Sequence, residues 1–201
     1  MREVNLEFSF KGDRKYVHGT DIFKQIIKTV DSLEFNNWDY LELNIRKISS
    51  YNMICYISDK KLKQNGEVIN FLVKKGEVQM YGSIVENINN EIKTRIELDE
   101  TDISSNCKIN DNEDSITYNN PLNTVHSIDI ITSICKIYLE SQSNSSDKWF
   151  FRTLKLFRSI DEIESKKIRL KKTSQKLNIQ AFDIFIGDEM IAQGYAASIS
   201  M

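Results

Sequence analysis

One stretch of this chain is written twice. Tyr16-Val17-His18-Gly19-Thr20-Asp21-Ile22-Phe23 recurs as Thr124-Val125-His126-Ser127-Ile128-Asp129-Ile130-Ile131, at an offset of 126 − 18 = 108 residues. The chain has two histidines, and both hold the same place in the repeated unit. Beyond them, Ile22, Phe23, Ile26, Ile27 and Val30 align with Ile130, Ile131, Ile134, Cys135 and Tyr138. Steps of one, three and four residues bring such side chains to one face of a helix. Each copy is therefore expected to carry an amphipathic helix with a strongly apolar stripe, the first from about Thr20 to Leu33. Thr20 or Gly19 in the first copy, and Ser127 in the second, are the candidate caps for the exposed N–H groups of the first turn. Each histidine falls just before or at that cap.

A chain of 201 residues forms one large domain or two of roughly 100 residues each, and the repeat favours two. The sequence predicts a first unit over residues 1–100, a connector over 101–113 and a second unit over 114–201. With 40% hydrophobic and 28% charged residues and a net charge of −2, the composition is that of a soluble globular protein without the basic surface that an extended nucleic-acid path requires. Met1-Arg2-Glu3-Val4-Asn5-Leu6-Glu7 places acidic residues where a secretory signal would be apolar, and no apolar run reaches membrane-spanning length. The expectation is a cytoplasmic protein with no membrane and no nucleic-acid partner. Cys55, Cys107 and Cys135 are odd in number and scattered, which reads as free thiols, Cys135 in the core, and as no metal site.

Val4, Leu6, Phe8 and Phe10 alternate with polar residues, as in a half-buried strand. After the helix, strand character returns at Tyr40–Ile45, Ser49–Ser58 and Gly66–Lys74, and Lys74-Lys75-Gly76-Glu77 reads as a hairpin turn into Val78–Val85. The second half repeats that order. Ile116 and Tyr118 match Phe8 and Phe10, Phe182 matches Phe71, and the turn at Ile186-Gly187-Asp188-Glu189 is the counterpart of the Gly76 turn at a shift of 187 − 76 = 111. A small insertion in the polar loop Ser141–Asp147 accounts for the change in shift.

A strand, an apolar helix opened by a histidine-containing loop and an antiparallel sheet that wraps the helix together resemble the hotdog fold. Two copies look like the double-hotdog dehydratases, hydratases and thioesterases. The resemblance implies an α+β protein in which each half wraps a sheet around a long central helix. His18-Gly19 looks like the histidine–glycine pair of β-hydroxyacyl-thioester dehydratases, in which the glycine N–H polarises the thioester carbonyl. Asp21 through Gln25 matches the partner-acid form of double-hotdog enzymes, an Asp followed four residues later by Gln or His; Asp129 is followed at that distance by Ser133. Asn120-Pro121-Leu122, ahead of His126, is similar to the Asn-Pro-Ile-His run of enoyl-thioester hydratases.

What the resemblance implies for function is an acyl-thioester dehydratase or hydratase, a lyase of fatty acid or polyketide metabolism. Its substrate would be a 3-hydroxyacyl chain on an acyl-carrier protein or coenzyme A, with no further cofactor. A helix N-terminus disfavours imidazolium and keeps the ring a neutral base. His18 or His126 would then remove the proton beside the carbonyl while Asp129 or Asp21 of the other copy protonates the departing hydroxyl. Gly19, Gln25 and Ser127 are the accompanying substrate-binding candidates. Thioesterase chemistry is the nearest variant, and a non-catalytic acyl-binding or assembly protein is the competing class; a homodimer is a further partner expectation. Gly19 has the alternative of a purely conformational role, and the aspartates that of first-turn charge complementarity. Lys166-Lys167-Ile168-Arg169-Leu170-Lys171-Lys172 puts Lys167, Arg169 and Lys171 on one strand face, which could dock an acidic carrier or be a solvated, lysine-guarded edge. Trp38 and Trp149 are core residues or the lining of an acyl tunnel.

Overall fold

The computed structural model describes residues 1–97, 101–119, 126–142, 148–160, 167–176 and 178–199. The chain divides into two compact units, Met1–Leu98 and Asp99–Met201.

The first unit contains β1 (Arg2–Leu6), β2 (Phe10–Lys11), α1 (Gly19–Ser32), β3 (Tyr40–Ile45), β4 (Tyr51–Ser58), β5 (Glu67–Lys75), β6 (Val78–Glu91) and β7 (Arg95–Ile96). The expected strand over Val4–Phe10 is broken in two. The Phe8 N–H leaves the ladder to donate to Asn52 Oδ1 at 2.8 Å, and Phe10 pairs instead with Arg95 in the short parallel ribbon of β2 and β7. The apolar stripe of α1 is buried as its spacing predicts: Phe23, Ile26 and Val30 are 0–1% exposed. The helix stops at Leu33, where Glu34 takes a left-handed φ of 59° and the Leu33 and Phe35 N–H groups both bond to the Val30 carbonyl.

The main sheet of this unit has the order β1-β4-β6-β5-β3 with every neighbouring pair antiparallel. Since β4 and β5 both run against β6, they run parallel to each other on its two sides, and residues 59–66 form the crossover between them. The turn from β5 to β6 is the expected one. Gly76 has a φ of 57° with open space around it, so it is the backbone angle that favours glycine there; its N–H donates to Asp39 Oδ2 at 2.9 Å.

The second unit contains α2 (Thr101–Ser105), β8 (Cys107–Asn110), β9 (Ser115–Asn119), α3 (Ser127–Gln142), β10 (Lys148–Leu156), β11 (Lys167–Lys176), β12 (Ile179–Ile186) and β13 (Glu189–Ile199). Its sheet has the order β10-β13-β12-β11-β9-β8, again antiparallel throughout. The segment expected as a connector is therefore built into this unit. Cys107 and Ile109 supply a short alternation that pairs with Tyr118 and Ile116, and Ile103 of α2 is 5% exposed. Helix α3 buries Ile130, Ile131, Ile134, Cys135 and Tyr138, none more than 2% exposed. The Tyr138 ring meets Phe182 of β12 edge-on at 6.1 Å, and its hydroxyl donates to Asp114 Oδ1 at 3.4 Å.

Both units follow the sequence strand, helix, four strands, with helices of 14 and 16 residues, about 21 and 24 Å at 1.5 Å per residue. These are helices of ordinary rather than long extent. The sheets differ in one respect that local periodicity does not encode. Numbered from the strand before each helix, the order is 1-3-5-4-2 in the first unit and 1-3-4-5-2 in the second, so the last hairpin enters the two sheets in opposite orientations. Each unit also has a glycine in the last strand of that hairpin close to an aromatic ring, from the hairpin itself in the first unit and from β10 in the second. Phe71 of β5 faces Gly82 of β6, and Phe182 of β12 faces Gly194 of β13. A Cβ on Gly82 would fall 2.0 Å from Phe71 Cε1, and one on Gly194 2.9 Å from Phe151 Cε1. In each unit an aromatic ring lies over a buried strand glycine, the buried Phe71 in the first and the half-buried Phe151 in the second.

Candidate functional site

The two histidines occupy equivalent backbone positions. Each immediately precedes its helix, and its carbonyl takes the first main-chain bonds: His18 from Asp21 and Ile22 N–H at 3.0 and 3.2 Å, His126 from Asp129 and Ile130 N–H at 2.9 and 3.2 Å. The histidines themselves are thus at the cap position, where Thr20, Gly19 and Ser127 were expected. Gly19 and Ser127 are instead the first helical residues, and Ser127 is 6% exposed.

The rings are held differently. His18 Nδ1 lies 2.7 Å from Thr20 Oγ1, and its side chain does not cap the helix. His126 Nδ1 accepts the Ile128 N–H at 3.3 Å. An imidazole nitrogen that accepts a hydrogen bond carries no proton, so the neutral His126 ring is protonated at Nε2. A ring in that tautomer donates from Nε2, whereas the expected role of general base needs a lone pair there. Thr20 was not picked out as a ring partner in the sequence, because a threonine in the first turn of a helix reads as a cap.

The remaining candidates have local partners. Asp21 Oδ1 pairs with Lys11 Nζ at 2.7 Å, both side chains largely buried. Gln25 Nε2 donates to the Glu7 carbonyl at 3.2 Å, fastening α1 to the segment after β1. Asp129 gives its main-chain N–H to His126 and is half-buried. Gly19 has no left-handed backbone angle, and an added Cβ would meet Ile45 Cδ1 at an ordinary 3.7 Å. The conformational account of this glycine is thereby set aside. Asn120-Pro121-Leu122, Lys166 and most of the Ser141–Asp147 loop lie outside the described residues.

On β11, Ile168 and Leu170 are fully buried while Lys167 and Lys171 are exposed on the opposite face. Between those lysines the Arg169 guanidinium lies 4.9 Å over the Phe185 ring. Trp38 is 3% exposed and belongs to the core; Trp149 is half-buried, and its Nε1 has no hydrogen-bond partner among the described residues. Burial pushes the Cys55 thiol up to about 12 and the Cys135 thiol higher still. Among the described residues no group of three or more His, Cys, Asp or Glu could hold a metal ion, and no helix is long and apolar enough to cross a membrane.

No protein-family model matches the chain, and no curated protein matches it. Solved structures do. The dehydratase domain of RzxB from Pseudomonas fluorescens aligns with a TM-score of 0.50 and 12% identity over 99% of this chain and 94% of its own. A Lactobacillus plantarum protein described provisionally as an oleoyl thioesterase aligns with a TM-score of 0.51 and 7% identity over 99% and 95%. A conserved protein with a hot dog fold from Alicyclobacillus acidocaldarius gives 0.50 and 6% over 99% and 93%. At such identities the likeness speaks to architecture alone, and with the strand–helix–strand order of both units it leads to one conclusion: the chain has the hotdog fold, the fold of the thioesterase and dehydratase domains to which it is similar.

Proposed function

We propose that this chain is a double-hotdog protein that binds and turns over acyl thioesters, with coenzyme A or an acyl-carrier protein as the carrier and dehydration or hydration of a 3-hydroxyacyl chain as the reaction. The observation that carries this reading is the pair of helices, each introduced by a histidine whose carbonyl receives the first-turn N–H groups. At such an end, main-chain donors and the positive end of the helix dipole favour an oxygen that gains negative charge as a thioester carbonyl enolises or is attacked. Gly19, the first helical residue of α1, brings no side chain of its own to that helix end. A carboxylate, Asp21 or Asp129, is the group for proton exchange with the substrate hydroxyl. Ser127 is the counterpart of Gly19 at α3, and Gln25 serves the site indirectly by fixing α1.

The test is incubation of the full chain with crotonyl and 3-hydroxybutyryl thioesters of coenzyme A and of a carrier protein, following loss or gain of the conjugated double bond and release of free thiol. His18→Ala is expected to lower turnover at an α1 site by about 10²-fold or more, and His126→Ala at an α3 site. Free thiol without a change in the double bond would mean thioesterase chemistry on the same scaffold.

A second reading, a non-catalytic acyl-binding protein, is favoured by the His126–Ile128 and Asp21–Lys11 contacts, which engage two catalytic candidates structurally. Saturable binding of acyl thioesters with no turnover across the panel would establish it.

A further inference from the structure

One nitrogen, Nδ1, has a defined hydrogen-bond contact in each of the two rings. Thr20 is 1% exposed, and its Oγ1 is 2.7 Å from His18 Nδ1. A buried hydroxyl proton that is not donated leaves a desolvated donor unsatisfied, and Nδ1 is the acceptor at hand. Thr20 sits in the first turn of α1, where the four-residues-back carbonyl used by Thr29, at Gln25, lies before the helix. In the second unit the residue at this place in the repeat is Ile128, which has no hydroxyl, and its main-chain N–H takes over the same nitrogen. Two different groups, a hydroxyl and a main-chain N–H, thus contact the same atom of two equivalent rings.

We propose that Thr20 is a positioning residue that donates to His18 Nδ1 and fixes the ring as its Nε2–H tautomer, as the Ile128 main chain does for His126. The consequence for chemistry rests on the thioester reading above. A neutral ring held this way meets the acyl carbonyl oxygen as a hydrogen-bond donor through Nε2, and does not take the α-proton. The helix end reinforces this arrangement, because its partial positive charge favours a lone pair at Nδ1. The histidine then belongs with the main-chain donors that stabilise the developing oxyanion, and the α-proton goes to the Asp21 or Asp129 carboxylate, which returns it to the departing hydroxyl as the C–O bond breaks and water leaves.

The chain's two histidines make the test direct, since a [15N]histidine-labelled sample contains two ring systems. Two-bond 1H–15N correlation spectra at alkaline pH are expected to show Nε2 protonated and Nδ1 unprotonated in both rings. Thr20→Val should release the His18 ring to a mixture of tautomers, Thr20→Ser should restore it, and His126 should stay unchanged as the internal control. Wild-type His18 protonated at Nδ1 would overturn the proposal, as would a His18 spectrum indifferent to Thr20→Val. For a thioester that the protein turns over, His18→Ala is expected to lower kcat/KM roughly 10²–10³-fold, the range for loss of an oxyanion donor. His18→Gln, whose amide N–H stands in for Nε2–H, should recover about tenfold or more of that loss, and His18→Asn none. A glutamine variant as inactive as the alanine variant would return His18 to the role of proton acceptor. Absence of any turnover would refute the thioester reading while leaving the spectra to decide the tautomer.

Discussion

Gly82→Ala is the most severe one-methyl change the core offers. A Cβ at this position would lie 2.0, 2.1 and 2.5 Å from Cε1, Cζ and Cδ1 of Phe71. A carbon–carbon contact needs about 3.5 Å, so the ring has to withdraw by about 1.5 Å from a place where it is 2% exposed. Overpacking of this kind costs typically 1–3 kcal/mol. With three ring atoms in conflict the expected loss is about 3 kcal/mol, equivalent to a fall in Tm of roughly 6–12 °C for a chain of this length. The assay is urea denaturation of wild type, Gly82→Ala, Phe71→Leu and the double variant. The leucine side chain lacks Cε1 and Cζ, the two nearest atoms in conflict, so Gly82→Ala should cost at least about 1 kcal/mol less in that background than in the wild type. At Gly194 the nearest atom is a single ring carbon 2.9 Å away, and Gly194→Ala should cost about 1 kcal/mol. A Gly82→Ala loss no larger than that at Gly194, or one independent of residue 71, would refute the ring-over-glycine account.

Cys55 and Cys135, raised by burial, should resist alkylation in the native protein at neutral pH, whereas half-buried Cys107, pushed up to about 11 by burial, should react slowly; mass spectrometry after iodoacetamide treatment reads all three. Burial alone would raise the Glu86 carboxyl, but bonds from Lys47 and Ser49 outweigh it and hold the group below its ordinary value. Its stabilising contribution is therefore present above the unfolded-state value and lost as pH falls through the folded one. Glu86→Gln should flatten that acid-side decline in denaturation midpoint. Gln180 is 3% exposed, and its Oε1 has no partner among the described residues. Replacing it with leucine should leave stability unchanged or raise it by about 1 kcal/mol, by removing the desolvation penalty of the buried amide.

The elements set by local pattern were legible. The 3.6-residue spacing of isoleucines located α1 and α3, and the alternation around Gly76 and Gly187 located both hairpins with their turns. What remained hidden depends on pairing between distant segments. Nothing local to Asn52 says that its side chain will take the Phe8 N–H and end β1 early. The alternation of Cys107 and Ile109 is two residues deep and is outweighed by the acidic residues around it, so β8 reads as linker. Whether a hairpin sets its fourth or its fifth strand beside the third leaves no trace in hydrophobic periodicity, since both arrangements bury the same faces. At the candidate site, the duplicated histidines were visible because two rare residues shared an offset. The Thr20 contact was not, because a hydroxyl two residues along has many uses at a helix start.

The opposite entry of the last hairpin bears on how the two units acquire their structure. In the C-terminal unit β11, β12 and β13 form a meander, and their first ladder joins residues from 3 apart, Lys176 to Ile179, to 18 apart, Ile168 to Ile186. In the N-terminal unit β4 pairs with β6 across separations of 23, Ser58 to Tyr81, to 40, Tyr51 to Glu91, so a longer loop must close before that ladder can form. Loop-closure entropy slows such assembly. During refolding, backbone amides of β11 and β12 should thus gain protection from hydrogen exchange before those of β4, giving the two halves of one ancestral-looking pattern separate kinetic identities.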